Sequence, residues 1–223
     1  MTHWSVIASV ENGTPYVLAG IDRLRLDRSR SGKVYRSWLA NKLCVLPDRN
    51  LVIVGTGNVS VLDAVRYKML QTAKSDASMM EILAAGARTF GTAYCTGQQQ
   101  WSAGNVIAVA RINGQGPEIG VIEDNCVEAY VRWFTYGMAI ASNDPFNGRN
   151  VDCENIPSAD ALDAIVSANE AAHVKYPDKV SREHDILLLT RGSLPTELFV
   201  DYEWGKPVVR RAEPIRKTIV PWA

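Results

Sequence analysis

At 223 residues, 47% of them hydrophobic and 22% charged, the chain has globular composition and enough length to bury a substantial core. Its 24 basic and 24 acidic residues give a formal net charge of zero, so no overall field draws it to nucleic acid or an anionic membrane. No apolar run approaches the roughly 18 residues of a membrane span, and the start of the chain lacks signal-peptide regions, so a cytoplasmic location is expected.

Four cysteines, Cys44, Cys95, Cys126 and Cys153, lie far apart with no paired spacing. His3, His173 and His184 show no ligand spacing either. Buried thiols and structural histidines are expected, and neither a metal nor a cofactor.

In chain order, Thr2 directly follows the initiator and is small enough to permit removal of Met1. An exposed N-terminal threonine carries both parts of a catalyst: its hydroxyl is the nucleophile and its α-amine the base. That amine titrates near 8 in model peptides, close enough to neutrality to accept a proton. Residues 4–11 and 15–22 read as a β-hairpin about Asn12-Gly13, and Asp22 ends its second strand. Residues 23–33, with Arg23, Arg25, Arg28, Arg30 and Lys33, read as a basic loop or edge segment.

A second strand pair spans 42–46 and 51–54, turning at Pro47-Asp48-Arg49-Asn50. The apolar run 51–54 predicts a strand covered on both faces. Gly55-Thr56-Gly57-Asn58 has no phosphate-loop lysine after it and reads as a tight turn. Leu62, Val65, Met69 and Leu70 then recur at helical spacing, and a second helix opens on a capping box of Ser78 and Glu81 and ends near Gly91 or Gly97. Strands are expected at 105–111, 118–122, 127–133 and 138–141, a third helix from Pro157-Ser158, and a last strand at 185–190. Residues 193–223 read as a Pro-rich tail. Helices in blocks between hairpins favour stacked antiparallel sheets over a doubly wound parallel one.

This order, with Thr2, Asp22 and Lys42 placed as they are, resembles the proteasome family of N-terminal nucleophile hydrolases, in particular a catalytic β-type subunit or a bacterial homologue. Val17 to Arg23 resembles the second hairpin strand with Ile21 inserted, Asn41 to Val45 the lysine-bearing strand, and Val54-Gly55-Thr56-Gly57 the glycine turn. The hairpin is extended symmetrically about Asn12-Gly13, which keeps Asp22 opposite His3, because strand faces repeat every two residues.

The resemblance implies an α+β fold, a four-layer αββα sandwich of two antiparallel sheets between helical layers. It implies a domain over 1–192, with 193–223 as a Pro-rich extension of the same domain. The implied activity is a threonine-type peptidase acting on peptide or protein substrates inside a homo-oligomeric ring, with an unfoldase or activator as a possible partner. The implied catalytic residues are Thr2 as nucleophile, Lys42 as the adjacent cation, Asp22 as its anchor, Gly57, or Thr56 beside it, as oxyanion donor, and Ser142 near the amine. Ser142 is flanked by Ala141 and Asn143 where the family has glycines, and no acid falls in the family's place in 172–177; Asp178 fits only with a shifted loop. A non-catalytic ring subunit that keeps Met1, and a non-peptidase amidase or acyltransferase, remain the alternatives.

Overall fold

The computed structural model describes residues 2–28, 34–95, 105–124, 129–141 and 155–220. The hairpin forms as β1 (Trp4–Glu11) and β2 (Thr14–Asp22), in register from Glu11↔Thr14 to Trp4↔Ile21. Asn12 and Gly13 hold φ of 50° and 77°, the left-handed pair that a two-residue hairpin turn requires. Two further hairpins follow, β3 (Leu24–Arg28) with β4 (Val34–Leu39), and β5 (Cys44–Leu46) with β6 (Leu51–Thr56). Helices α1 (Val59–Ala73) and α2 (Met79–Cys95) precede β7 (Asn105–Ile112), β8 (Pro117–Asp124), β9 (Ala129–Phe134) and β10 (Gly137–Ala141). Helix α3 (Ser158–Lys175) leads to β11 (His184–Thr190), β12 (Thr196–Glu203) and β13 (Lys206–Pro214).

These strands make two antiparallel sheets, ordered β10-β1-β2-β11-β12-β13 and β5-β6-β7-β8-β9, with β3-β4 as a separate ribbon. Strand periodicity decides what each face meets. Trp4, Val6 and Ala8 of β1 share one buried cluster with Val52 and Val54 of β6 and with Ala108 and Ala110 of β7, so the two sheets pack on each other. The alternate residue Ile7 packs with Ile165 of α3, and Leu51 and Ile53 of β6 with Val65 and Met69 of α1 and Leu83 of α2. Residues 51–54 are therefore buried on both sides, the reason for their unbroken apolar run.

The Ser78–Glu81 capping box forms: the Glu81 carboxylate accepts from the Ser78 N–H at 2.7 Å, and Ser78 Oγ accepts from the Glu81 N–H at 3.3 Å. Of the loop and edge-segment readings of 23–33, the edge segment forms over 24–28 as β3, paired with β4 in a two-stranded ribbon across a bulge between Asp27 and Arg28. One expectation is corrected. The C-terminal stretch is not an irregular tail, because β12 and β13 complete the six-stranded sheet and Ile219 bridges back to Val45.

Close approach of α3 to the sheet depends on Gly20. A Cβ there would lie 2.4 Å from Ile165 Cγ2. Gly20→Ala is expected to cost roughly 1–3 kcal/mol by overpacking. Ile165→Ala should be less damaging in that background than alone, a coupling that urea unfolding of the double-mutant cycle measures.

Candidate active site

The hairpin register delivers Asp22 to the start of β1. Asp22 N–H donates to the His3 carbonyl at 3.0 Å, and His3 N–H donates to Asp22 Oδ2 at 2.9 Å. Thr2 is the next residue outward. Lys42 reaches it from the segment just before β5, in the other sheet. Its Nζ donates to Thr2 Oγ1 at 3.0 Å and to both Asp22 oxygens at 3.1 Å, which occupies all three ammonium protons. Asp22 Oδ1 also accepts from Leu24 N–H at 3.0 Å and from Ser181 N–H at 3.5 Å.

The pair is deeply buried, with Asp22 0% and Lys42 5% exposed. Burial pushes the Asp22 carboxyl above the usual carboxylate range, opposed by the Lys42 charge and its hydrogen bonds, then by the N–H groups of His3 and Leu24. Burial pushes the Lys42 ammonium below the usual lysine range, opposed by Asp22, while Arg25 and Arg66 add repulsion. Chemically, a confined cation touching a hydroxyl oxygen favours the alkoxide over the alcohol. Asp185, opposite Ile21 in register, is pushed to about 7 by burial, with Arg23 opposing.

Gly57 follows Thr56 at the end of β6 and has φ of 139°, where a Cβ would lie 2.0 Å from Asn105 Oδ1. Only glycine fits that position. Asn105 Oδ1 accepts from Asn58 N–H at 2.7 Å, and Asn58 caps α1 by accepting from Ser60 and Val61 N–H. The positive end of α1 therefore lies beside this turn.

Thr2, Asp22 and Lys42 come together, with Gly57 one residue from the group that touches Thr2. That group is Thr56, whose Oγ1 accepts from the Thr2 main-chain N–H at 3.1 Å. A hydroxyl at the Thr2 nitrogen was expected from Ser142, which lies outside the described residues; the described chain runs to Ala141, opposite Trp4. Asp178 is exposed on the turn after α3. Ser181, three residues on, is the group that sequence reading missed. Its Oγ accepts from Arg23 N–H at 2.9 Å and Leu24 N–H at 3.2 Å, and donates to the Glu183 carbonyl at 2.6 Å. Nothing in a lone serine after a helix signals this; only the fold brings it beside Asp22.

No family model matches the chain, and no curated protein sequence matches it. Solved structures do. The helical assembly of the Anbu complex from Pseudomonas aeruginosa matches at a TM-score of 0.64 and 12% identity, over 89% of this chain and 86% of that one. Anbu (ancestral β-subunit) from Yersinia bercovieri matches at 0.62 and 12%, over 84% and 81%. A Gly-1 mutant of Anbu from Hyphomicrobium sp. strain MC1 matches at 0.60 and 11%, over 95% and 87%. At these identities the likeness is one of fold, and the chain has a proteasome-like α+β fold.

Next to Thr2, both ring nitrogens of His3 are buried without a hydrogen-bond partner. Burial, then the neighbouring His184, lowers its pKa to about 4. A histidine neutral in the fold and basic when unfolded stabilises fully above about 6.5 and loses that contribution as pH falls from there toward 4. The loss reaches about 3 kcal/mol. His3→Phe keeps the ring and removes the two unsatisfied atoms, so it is expected to be neutral or stabilising at pH 7. It should also shrink the acid-side loss of stability between about pH 6.5 and 4, as measured by urea midpoints against pH.

Proposed function

We propose that the chain is an N-terminal threonine amide hydrolase, with peptides or proteins as substrates. The observation that carries this reading is the 3.0 Å contact of Lys42 Nζ with Thr2 Oγ1, with Lys42 itself held by both oxygens of Asp22. With Met1 removed, the Thr2 amine takes the hydroxyl proton, directly or through water, as Oγ1 attacks the carbonyl carbon. Lys42 stabilises the developing alkoxide. The Gly57 N–H, at the positive end of α1, meets the oxyanion of the tetrahedral intermediate; one such donor is worth roughly 3–4 kcal/mol. Collapse breaks the C–N bond and passes the proton to the leaving amine. Water then attacks the ester, its proton goes to the Thr2 amine, and acid and free Thr2 hydroxyl are released. Thr56 Oγ1 orients the amine throughout, and Ser142 is proposed as a second hydroxyl there.

The same reading takes the fold as a four-layer αββα sandwich, supported by the separate apolar clusters that join sheet to sheet and each sheet to its helices. It places the site inside a homo-oligomeric ring in the cytoplasm, with an unfoldase or activator as a potential partner. Exposed Trp133 and Trp204 and the helical assembly of Anbu support association. A non-catalytic subunit that keeps Met1 is the competing reading. The 11% and 12% identities to the Anbu structures leave it, and a non-peptidase amidase or acyltransferase, open.

Mass spectrometry decides between the first two: protein from its native host is expected to lack Met1 and to form a multimer. Thr2→Ala is expected to abolish hydrolysis with an unchanged melting temperature, because Thr2 is only half-buried. Full hydrolysis by a folded Thr2→Ala protein, or with Met1 quantitatively retained, overturns the reading.

The pair also sets a pH window. Asp22, with its raised pKa, is protonated and loses its hold on Lys42 at a pH above the ordinary carboxylate value. Lys42, with its lowered pKa, loses its charge below the ordinary lysine value. The profile of kcat/KM is expected to be bell-shaped and narrowed on both sides, with limbs inside about 4 and 10.4. A plateau extending beyond either value counts against the ion pair as the working unit.

A further inference from the structure

Lys42 stands on backbone that the sheets support weakly. Residues 40–43 lie in neither strand nor helix, and β5, which follows, spans only three residues at the edge of its sheet. Yet the lysine aims its Nζ at one hydroxyl and one carboxylate. The ladder alone does not fix the main chain from which it reaches. The segment is pinned on either side: Ala40 N–H donates to the Arg23 carbonyl at 2.9 Å, and Val45 exchanges hydrogen bonds with Ile219 at 2.9 and 3.0 Å.

Between these points, Asn41 makes two hydrogen bonds. Its Oδ1 accepts from Leu43 N–H at 2.8 Å, an Asx-turn that closes around Lys42 and fixes the dihedrals from which its side chain leaves. Its Nδ2 donates to Glu197 Oε1 at 2.7 Å, a short bond to a charged acceptor. Glu197 is opposite Leu187 in register, and Leu187 belongs to the cluster between the sheets. Residues opposite each other share a face, so Glu197 is on the side of β12 that meets the other sheet. Burial pushes its carboxyl above the usual range, opposed by the Asn41 hydrogen bond and then by Arg23. Arg23 forms its own ion pair with Asp185, at 3.5 Å.

We propose that Asn41 and Glu197 are positioning residues for Lys42. Glu197 holds Asn41, Asn41 holds the main chain at Lys42, and the ammonium group is thereby aimed at Thr2 Oγ1. The inference rests on the reading of Lys42 as the cation that serves Thr2. It extends the working site to β12, in the C-terminal part of the chain, through a second polar tie between the sheets.

Donor and acceptor can be exchanged at constant net charge. Asn41→Asp keeps an acceptor for Leu43 N–H but sets two carboxylates against each other. Adding Glu197→Gln turns the bond round, with the glutamine amide donating to the aspartate. Glu197→Gln alone keeps an acceptor for Asn41. Two readouts are taken on the assembled protein. Reductive methylation with formaldehyde and dimethylamine–borane, mapped by peptide mass, gives the labelling rate of Lys42 relative to exposed Lys68. Hydrolysis of an internally quenched peptide gives kcat and KM. In Asn41→Ala and Asn41→Asp, Lys42 is expected to label about tenfold faster and kcat to fall about tenfold at unchanged KM, the worth of one hydrogen bond to a charged group. Glu197→Gln and the exchanged pair should stay near the unsubstituted protein in both. Unchanged Lys42 protection in the two Asn41 variants, an exchanged pair no better than Asn41→Asp alone, or unfolding of Asn41→Ala by circular dichroism overturns the proposal. Labelling that follows the expected pattern in a protein that cleaves no peptide refutes the hydrolase and leaves the positioning standing. Cleavage with labelling and kcat indifferent to the variants refutes the positioning alone.

Discussion

One buried ion pair, Asp22 with Lys42, ties the molecule together at the candidate site. Asp22 ends a strand of the six-stranded sheet, and Lys42 precedes the first strand of the five-stranded sheet. Their contact at 3.1 Å therefore joins the two sheets, and Thr2 is held at the junction by the remaining ammonium proton. Such a pair contributes little net stability, because removing two charges from water costs about what their attraction returns. Its value here is positional. Neither charge has another place to go, so the hydroxyl of Thr2 is fixed against a cation without any large rearrangement.

The surrounding backbone sustains the pair. Two N–H groups near 3 Å, from His3 and Leu24, supplement the lysine at the Asp22 carboxylate, and the Ser181 N–H approaches at a longer distance. The Ser181 hydroxyl gathers the N–H groups of Arg23 and Leu24, which fixes the chain as it leaves β2. The site is thus organised by main-chain geometry at the end of a hairpin, and the hairpin turn at Asn12-Gly13 sets it from the far end. A one-residue slip in that register would turn Asp22 to the opposite face.

That register was readable in the sequence, because alternation in β1 and β2 and an Asn-Gly turn leave one pairing. So were the strand pair ending in the glycine turn, and the helices whose apolar residues recur at three and four. The pairing of β3 with β4 was not. Leu24-Arg25-Leu26-Asp27-Arg28 does alternate, but so dense a run of charge reads as loop or edge segment when no apolar partner is visible. In the C-terminal region Thr196, Leu198 and Val200 do alternate inward, but the prolines obscure the pattern. Pro207 and Pro214 prove compatible with a strand because β13 is the sheet edge, where a missing N–H costs nothing. At the site, Thr2, Asp22 and Lys42 were legible through family resemblance. Thr56 and Ser181 were not as they stand, since their contacts span 54 and 159 residues.

The distribution of cost in the fold argues further that the end of the hairpin is more than structural. His3 and His184 lie on either side of Asp22, since Asp22 is directly opposite His184 and exchanges hydrogen bonds with His3. Around this row, Ser5 Oγ, Asn169 Oδ1, His184 Nε2 and both nitrogens of His3 are buried without hydrogen-bond partners. Each such atom costs on the order of 1–3 kcal/mol against a satisfied or apolar alternative. The clusters between the sheets and under α1 and α2 are apolar, although Asp63 Oδ1 and Arg66 Nε of α1 are also buried without hydrogen-bond partners. A sequence shaped only for stability would place apolar residues in this row too. Violations of that kind collect where a side chain answers to chemistry instead of packing, and His3, next in the chain to the hydroxyl that Lys42 touches, carries two of them.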